Sequence, residues 1–541
     1  MSALAPAANF SFTLLNPSTP RFGPRLGTLI LRRPDPNCSI QLQTPTLLAT
    51  TSRGVVPHLS RDHYAQSSAL KWTNVPFETF LEQYVPVPTL QTGSSNPLHT
   101  FLGFSPNETI LSTTARDPYD GREMPTNGNS HISAQTLRGV RKLTPEDWRK
   151  YSLACKPDVV VALADTPFTN PPYSQKRLTK SIERSTAWIA SLIKPVSPQE
   201  PVPFAIFAHL AGNTSIPARK AFSNSLLETL YGPEAEAVKP YSHLDQAVAG
   251  YTVDLVPLLL SLAAAEQKNA TSSEEVVESS PPQQQAQAVV PLIKASLEQL
   301  PIDKPRLVNS TQTPHEILRL ISSIGVDLFD AHWAQRAADF GIALDFQFPV
   351  PKGVVTSSTA TGKKTEVGHN IYNFDYAHDF SSLADSFRGA SQTSASAKPV
   401  CLCAACSPVQ PASRLYHGVD NESHSGDLPP PEKKTYLPPF TRAYVHHLLH
   451  THEMSAHTLL AMHNLAILEA FLTGVREVLL RDGGVTWEEE VAQFMDTYDE
   501  GLQVLEEAKV RWKEVDLARG KGRLAREKAK EEEEALQGEH Q

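Results

Sequence analysis

Cysteine is scarce in this 541-residue chain, with five residues at positions 38, 155, 401, 403 and 406. An odd count with three thiols inside six residues excludes a disulfide framework and points to an intracellular metal site. Basic excess is missing too. The formal charge is −9, which excludes bulk coating of nucleic-acid phosphates but leaves room for a local basic patch. Long apolar runs are absent: stretches such as residues 253–265 fall short of a bilayer span, so no integral membrane span is expected. Residues 1–17 show neither a basic region before a cleavable apolar stretch nor the early arginines of a transit peptide, and read as mature sequence. No glycine-rich phosphate loop follows any strand-like run, which weighs against a dinucleotide-binding sheet.

What is abundant is proline, 44 residues against 26 glycines, implying many fixed turns and stiff insertions. The length suggests roughly two to four structural units. Residues 27–32 (GTLILR) and 46–50 (TLLAT) have strand length and aliphatic content. From Leu143 onward, strand–helix units repeat. Thr144-Pro145 reads as an N-cap with proline in the first turn, and residues 158–164 (DVVVALA) read as a strand buried on both faces that delivers Asp165 to its C-terminal end. A helix over 174–193 and a strand over 203–209 follow, then a strand over 250–255 and a helix from 256. Thr313-Pro314-His315-Glu316 is a capping box, and a strand over 326–329 brings Asp330 to its end. The expected fold is α/β: a (β/α)8 TIM-type barrel with a zinc-binding subdomain and a C-terminal helical extension.

Composition places the barrel in residues 1–400, with a polar disordered insertion near 266–287. It places the metal-binding subdomain in 401–482 with a proline-rich insertion over 407–439, and the helical extension with its charged tail in 483–541. Within that extension Thr486-Trp487-Glu488-Glu489 is a second capping box, and Val491, Phe494, Met495, Tyr498, Leu502 and Leu505 mark one helical face. Cys401, Cys403 and Cys406 lie close enough for one tetrahedral ion, for which zinc with three thiolates and an imidazole is a closed structural arrangement. Spacing leaves the imidazole open among His446, His447, His450, His452, His457 and His463.

This cysteine cluster, with Arg442-Ala443-Tyr444-Val445-His446-His447-Leu448-Leu449, Glu453-Met454 and Met462-His463-Asn464, resembles the zinc region of the queuine tRNA-ribosyltransferase (tRNA-guanine transglycosylase) family. Three further stretches match in order: Gln43-Thr44-Pro45-Thr46 with Thr51-Ser52-Arg53-Gly54, Lys304-Pro305-Arg306 through Gly325-Val326-Asp327-Leu328-Phe329-Asp330, and Asn370-Ile371 through Asp379-Phe380. The resemblance implies one structural zinc per chain held by Cys401, Cys403, Cys406 and His463, with 407–439 as an atypical insertion. It implies wobble-base exchange in tRNA, in which a carboxylate attacks the ribose anomeric carbon and a second carboxylate moves protons. Asp330 falls at the nucleophile's position, and Asp165 lies near, one residue off, the second.

The departures matter as much. Where active members carry Pro-Thr-Arg after the nucleophile, this chain has Ala331-His332-Trp333-Ala334-Gln335-Arg336. Where they carry Gly-Gly-Leu-x-Val-Gly-Glu, it has Ala249-Gly250-Tyr251-Thr252-Val253-Asp254-Leu255, and where they carry Asp-Glu-Cys it has Asp165-Thr166-Pro167. Bulk in place of glycine prevents close approach to a flat base. The pattern resembles the family's eukaryotic non-catalytic subunits, so no catalytic residue is expected and Asp330 and Asp165 read as vestigial. The implied partners are a catalytic queuine tRNA-ribosyltransferase subunit, in a heterodimer, and tRNA. The implied location is cytoplasmic, with peripheral association at the mitochondrial outer surface. An active transglycosylase using Asp330 and a zinc-stabilised scaffold outside tRNA modification are the competing readings. The resemblance also implies that the segment 442–480 supplies much of the partner surface. Its apolar positions Leu448, Leu449, Leu459, Leu460, Ile467 and Phe471 outnumber what one helix face against a barrel requires, although core packing explains most of them.

Overall fold

The computed structural model describes residues 9–519 apart from 34–38, 68, 92, 123, 137, 167–171, 198–199, 271–281, 352–363, 385–400, 402, 409–436 and 482. Its contacts divide the chain into two compact units. The first comprises Met1–Gln335, Gln347–Pro351 and Leu468–Met495; the second comprises Arg336–Phe346, Lys352–Ile467 and Asp496–Gln541. The grouping is interleaved along the chain, whereas composition alone suggests three consecutive segments.

In the first unit an antiparallel sheet, β1 (Phe10–Leu14), β2 (Gly27–Arg32) and β3 (Ser39–Thr44), precedes the barrel. The closed barrel takes β4 (Thr46–Thr50), β5 (Trp72–Pro76) and β6 (Ile110–Thr114), is interrupted by a hairpin of β7 (Ile132–Thr136) and β8 (Gly139–Leu143), and resumes with β9 (Val159–Val161). It finishes with β10 (Ala205–His209), β11 (Gly250–Asp254), β12 (Arg306–Asn309) and β13 (Leu328–Asp330), and β13 pairs in parallel with β4 to close the ring. All eight barrel strands run parallel and are almost wholly buried, which explains their continuous rather than alternating apolar character. The small sheet plugs one end. Phe10 packs edge-on against Trp72 and Phe207 at 6.4 and 5.7 Å, and Leu29, Leu31, Ile40 and Leu42 join the same core. Gly250 lies under this plug, where a Cβ would come within 2.6 Å of the Phe207 ring.

Helix starts follow the predicted chemistry. Thr144 accepts from Asp147 N at 3.0 Å, Ser174 from Arg177 N at 3.3 Å, and Thr313 from Glu316 N at 2.9 Å, each capping the helix that follows. Gly325, at φ 72°, ends the helix Pro314–Ile324 in the left-handed region. The seven-residue strand expected over 158–164 pairs as a strand only through Val159–Val161. Beyond Ala162 the backbone leaves the ladder because the main chain of Asp165 is held by Ser185 and Ser181 of the helix Gln175–Ile193. The helices Leu255–Ala270 and Pro282–Leu297 take up both ends of the polar stretch 266–287, and its middle, 271–281, lies outside the described residues. So do most of 407–439 and the tail beyond 519.

In the second unit β14 (Ile342–Leu344) pairs antiparallel with β15 (Gly368–Asn370), beside the helix Arg442–His450. One helix, Met454–Leu480, reaches 27 residues and is long and apolar enough to cross a membrane, contrary to the sequence expectation, but 67% of its most apolar window is buried inside the protein. The apolar positions of the segment 442–480 are mostly accounted for by the chain's own packing. Leu448, Leu449, Leu460, Ile467 and Phe471 are buried in the chain's own core, and among the described residues of the second unit the exposed large apolar side chains are Phe374, Phe380, Leu437, Tyr444, Met454 and Val510. The single helical face expected over 491–505 is broken, since helices Trp487–Thr497 and Gln503–Arg519 are separated at Leu502, φ 50°. Its capping box forms, with Thr486 N donating to Glu489 Oε2 at 2.8 Å and Glu489 N to Thr486 Oγ1 at 3.3 Å.

Candidate functional site: a Cys3His cluster and a closed barrel mouth

The second unit brings Cys401, Cys403, Cys406 and His463 together, with their candidate ligand atoms all within 4.8 Å of one another. The cysteines sit on a tight loop whose own amides point at sulfur: Cys403 N donates to Cys401 Sγ at 3.4 Å and Cys406 N to Cys403 Sγ at 3.3 Å. Such donors stabilise thiolates. Hydrogen bonds from Cys403 and Cys406 hold the Cys401 thiol well below its ordinary range, with His463 adding to the effect. Ser407 fastens the loop through Oγ to Cys401 O at 2.7 Å.

His463 is fully buried, and its Nδ1 lies 3.3 Å from Cys406 Sγ and 3.8 Å from Cys403 Sγ. Its Nε2 is 2.8 Å from Leu344 O, so Nε2–H donates to the carbonyl and Nδ1 turns its lone pair to the thiols. Asn464 locks this orientation, accepting from Leu344 N and donating to Ile342 O, both at 2.9 Å. Of the six histidines that spacing left open, His463 alone joins the cluster among the described residues. Three thiolates and one imidazole fit a closed tetrahedral zinc site.

The barrel mouth in the first unit is built differently. The last residues of four successive strands are polar: His209, Asp254, Asn309 and Asp330. Asp330 is 1% exposed, and both carboxylate oxygens face backbone amides, Oδ2 that of Ser310 and Oδ1 that of His332 at 3.3 Å. The chain after β6 closes over these neighbours: Ser310 Oγ donates to Pro118 O at 3.0 Å, and Tyr119 stacks on His332 with ring centroids 3.5 Å apart. Burial pushes Asp330 up to about 7, with the two amide hydrogen bonds opposing it.

Asp165 is occupied. It takes bidentate hydrogen bonds from Arg177 at 2.7 and 2.8 Å, a third guanidinium contact from Arg184 at 2.9 Å, and Asn127 Nδ2 at 2.8 Å. Asp330 and Asp165 are therefore both at the mouth, and each carboxylate is hydrogen-bonded within the fold. Sequence reasoning missed the residues that fill the space between them. His209 Nε2 lies 3.0 Å from Asp254 Oδ2, at ion-pair distance though not aligned for a hydrogen bond, and Asn309 Nδ2 donates to Asp254 Oδ1 at 2.8 Å. Burial also raises Glu78 to about 7, against a hydrogen bond from Asp117 N. The signal for His209 and Asn309 was available, since each is the final residue of a barrel strand.

The cavity left among Arg116, Asp117, Asp120, His209 and Asp254 is about 60 Å³, far below the roughly 300 Å³ at the low end of small-molecule pockets. Tyr251, where active members have a small-residue segment, is buried and donates to Asp245 Oδ1 at 2.6 Å, so its ring belongs to the core rather than to a base platform.

A closed parallel barrel of eight strands, carried in one chain with a Cys3His cluster whose donor set fits a metal ion, defines a TIM-type barrel protein with a candidate metal site. The chain belongs to the queuine tRNA-ribosyltransferase family, whose profile matches residues 22–239 and 269–500. Among characterised relatives it is 26% identical over 460 residues to the queuine tRNA-ribosyltransferase accessory subunit 2 of Schizosaccharomyces pombe, covering 84% of this chain and 79% of that protein. It is 25% identical over 468 residues to the accessory subunit 2 of Drosophila persimilis, covering 85% and 87%, and 23% identical over 460 residues to that of Drosophila melanogaster, covering 85% and 87%.

Proposed function

We propose that this chain is the non-catalytic subunit of a heterodimeric queuine tRNA-ribosyltransferase, holding a catalytic partner and helping to position tRNA for exchange of guanine by queuine at the wobble base. One observation carries the reading: Asp330, at the nucleophile's position, is buried and bound on both oxygens by backbone amides. A carboxylate must reach the anomeric carbon of a base flipped out of its stack. Here it faces Ser310 and His332 under the 117–119 segment. The guanidinium pairing of Asp165 supports the same reading, because both of its oxygens are engaged by Arg177, with Arg184 adding a third contact. The names of the relatives agree with it.

The Cys3His cluster is proposed to hold one zinc ion with a structural role, since four protein ligands leave no open position. The location proposed with this function is cytoplasmic, with peripheral association at the mitochondrial outer surface, on family resemblance alone. A second reading, an active transglycosylase, is favoured by the retention of the Asp330 carboxylate. Exchange of labelled guanine into tRNA separates the two. The chain alone should give no exchange, addition of a catalytic subunit should restore it, and Asp330→Ala should leave the mixed complex active. Loss of exchange in that variant, with assembly and tRNA binding intact, would make this chain the enzyme. Normal assembly failing with every catalytic subunit tried would instead support a scaffold outside tRNA modification.

A further inference from the structure

His446 and His450 stand one turn apart on the helix Arg442–His450, and neither belongs to the Cys3His cluster. Their imidazole centroids are 4.3 Å apart with planes inclined at 48°. Each ring has one nitrogen engaged by a backbone carbonyl: His446 Nδ1 is 2.8 Å from Ile371 O, and His450 Nε2 is 3.1 Å from Tyr372 O. A carbonyl only accepts, so these nitrogens carry the protons, and the lone pairs reside on His446 Nε2 and His450 Nδ1. This is the arrangement that orients histidine ligands at metal sites, where the ring nitrogen away from the metal donates to a carbonyl.

Neither remaining nitrogen has a hydrogen-bond partner among the described residues, and neither is a sealed buried atom. Phe374 packs near both rings, its centroid 5.8 Å from His446 and 5.2 Å from His450, and Tyr372 stands edge-on to His450 at 5.8 Å. That collar restricts both imidazoles. The cation one turn earlier, Arg442, is offset by Asp379 at 3.2 Å and Asp345 at 3.6 Å.

We propose that His446 and His450 form a second metal site, for a borderline divalent transition ion such as Zn2+ or Ni2+. Two histidines at i and i+4 on one helical face are a recurring bidentate unit for such ions, and imidazole suits them. With bonds of about 2.0–2.1 Å to each nitrogen, the ring separation is compatible with one shared ion. Two protein ligands leave the other positions to water, so this site is open and exchangeable, unlike the closed Cys3His group. It does not depend on the function proposed above.

The experiment uses the full chain, first loaded to one zinc per molecule by metal analysis and then titrated with Ni2+ chloride by calorimetry. One further equivalent should bind in the wild type. His450→Ala should weaken it by at least about tenfold, the lower bound for disturbing a metal's histidine set, with zinc content and melting unchanged. His447→Ala, on the exposed neighbouring position, should leave binding as in the wild type. No second equivalent in the wild type, undiminished binding in His450→Ala, or equal weakening in His447→Ala would each overturn the site.

Discussion

The Cys3His cluster and the barrel mouth are both collections of ionisable side chains, one on a loop and a helix and the other around the ends of barrel strands, yet they are organised in opposite senses. At the cluster, supporting atoms lie behind the ligands: amides back the thiols and Leu344 O backs His463 Nε2, so four ligand atoms converge on one point. At the mouth the partners engage the carboxylates themselves: Ser310 and His332 amides on Asp330, Arg177 and Arg184 on Asp165. A retained residue type does not by itself establish a retained function. What decides is whether a side chain's hydrogen-bonding capacity is left for a ligand or used up within the fold.

The largest effect expected from breaking this comparison is at the cluster. Cys403→Ser removes one of three thiolates and should lower metal content and stability together, because binding energy at a structural site is folding energy. A loss of several kcal/mol would lower the melting temperature by roughly 10 °C or more. Full metal content with unchanged melting would remove Cys403 from the ligand set.

How these two regions read from sequence differs for a physical reason. The three cysteines are legible because their ligand geometry is local, contained in one six-residue loop. The barrel is legible because strand and helix signals are local and repeat. His463 could not be chosen from among six histidines by spacing, since Leu344 and Asn464 fix its ring from positions distant in sequence from the cysteines. The covering of Asp330 was equally hidden: Pro118 reaches Ser310 across 192 residues. The apolar residues of 448–471 look like surplus along a helix, and only the folded chain reveals that they are core. Arg177 and Arg184 are an intermediate case. Seven residues apart on one helix, they share a face, and that face could have been matched to Asp165 in the segment just after β9.

The next effect in size tests whether Asp330 is spent on the fold. Its folded value is raised to about 7 by burial, while an unfolded aspartate titrates near 4. Between these values the folded chain keeps a proton that the unfolded chain releases, so this group stabilises below about pH 4 and loses that contribution as pH rises to about 7. Asp330→Asn carries no titrating proton. From pH 4.5 to pH 8 the variant should gain on the order of 2 kcal/mol relative to wild type, measured by denaturant unfolding at each pH. Parallel pH profiles would mean that Asp330 titrates like an exposed carboxylate and that its mouth is open.

The smallest effect separates the cover from the carboxylate. Tyr119→Ala removes the ring stacked on His332, worth about 0.5–1.5 kcal/mol for an aromatic pair. Its more telling consequence is on titration. With the ring gone, water gains access toward His332 and the amide that faces Asp330 Oδ1, so the burial that raises Asp330 is reduced. The pH slope of stability between about 4.5 and 8 should then be shallower than in the wild type, approaching that of Asp330→Asn, and the double variant should add nothing to the slope. A Tyr119→Ala variant that loses stability uniformly at every pH would show that the ring contributes packing alone and that Ser310 and the barrel interior, rather than the 117–119 segment, keep Asp330 from solvent.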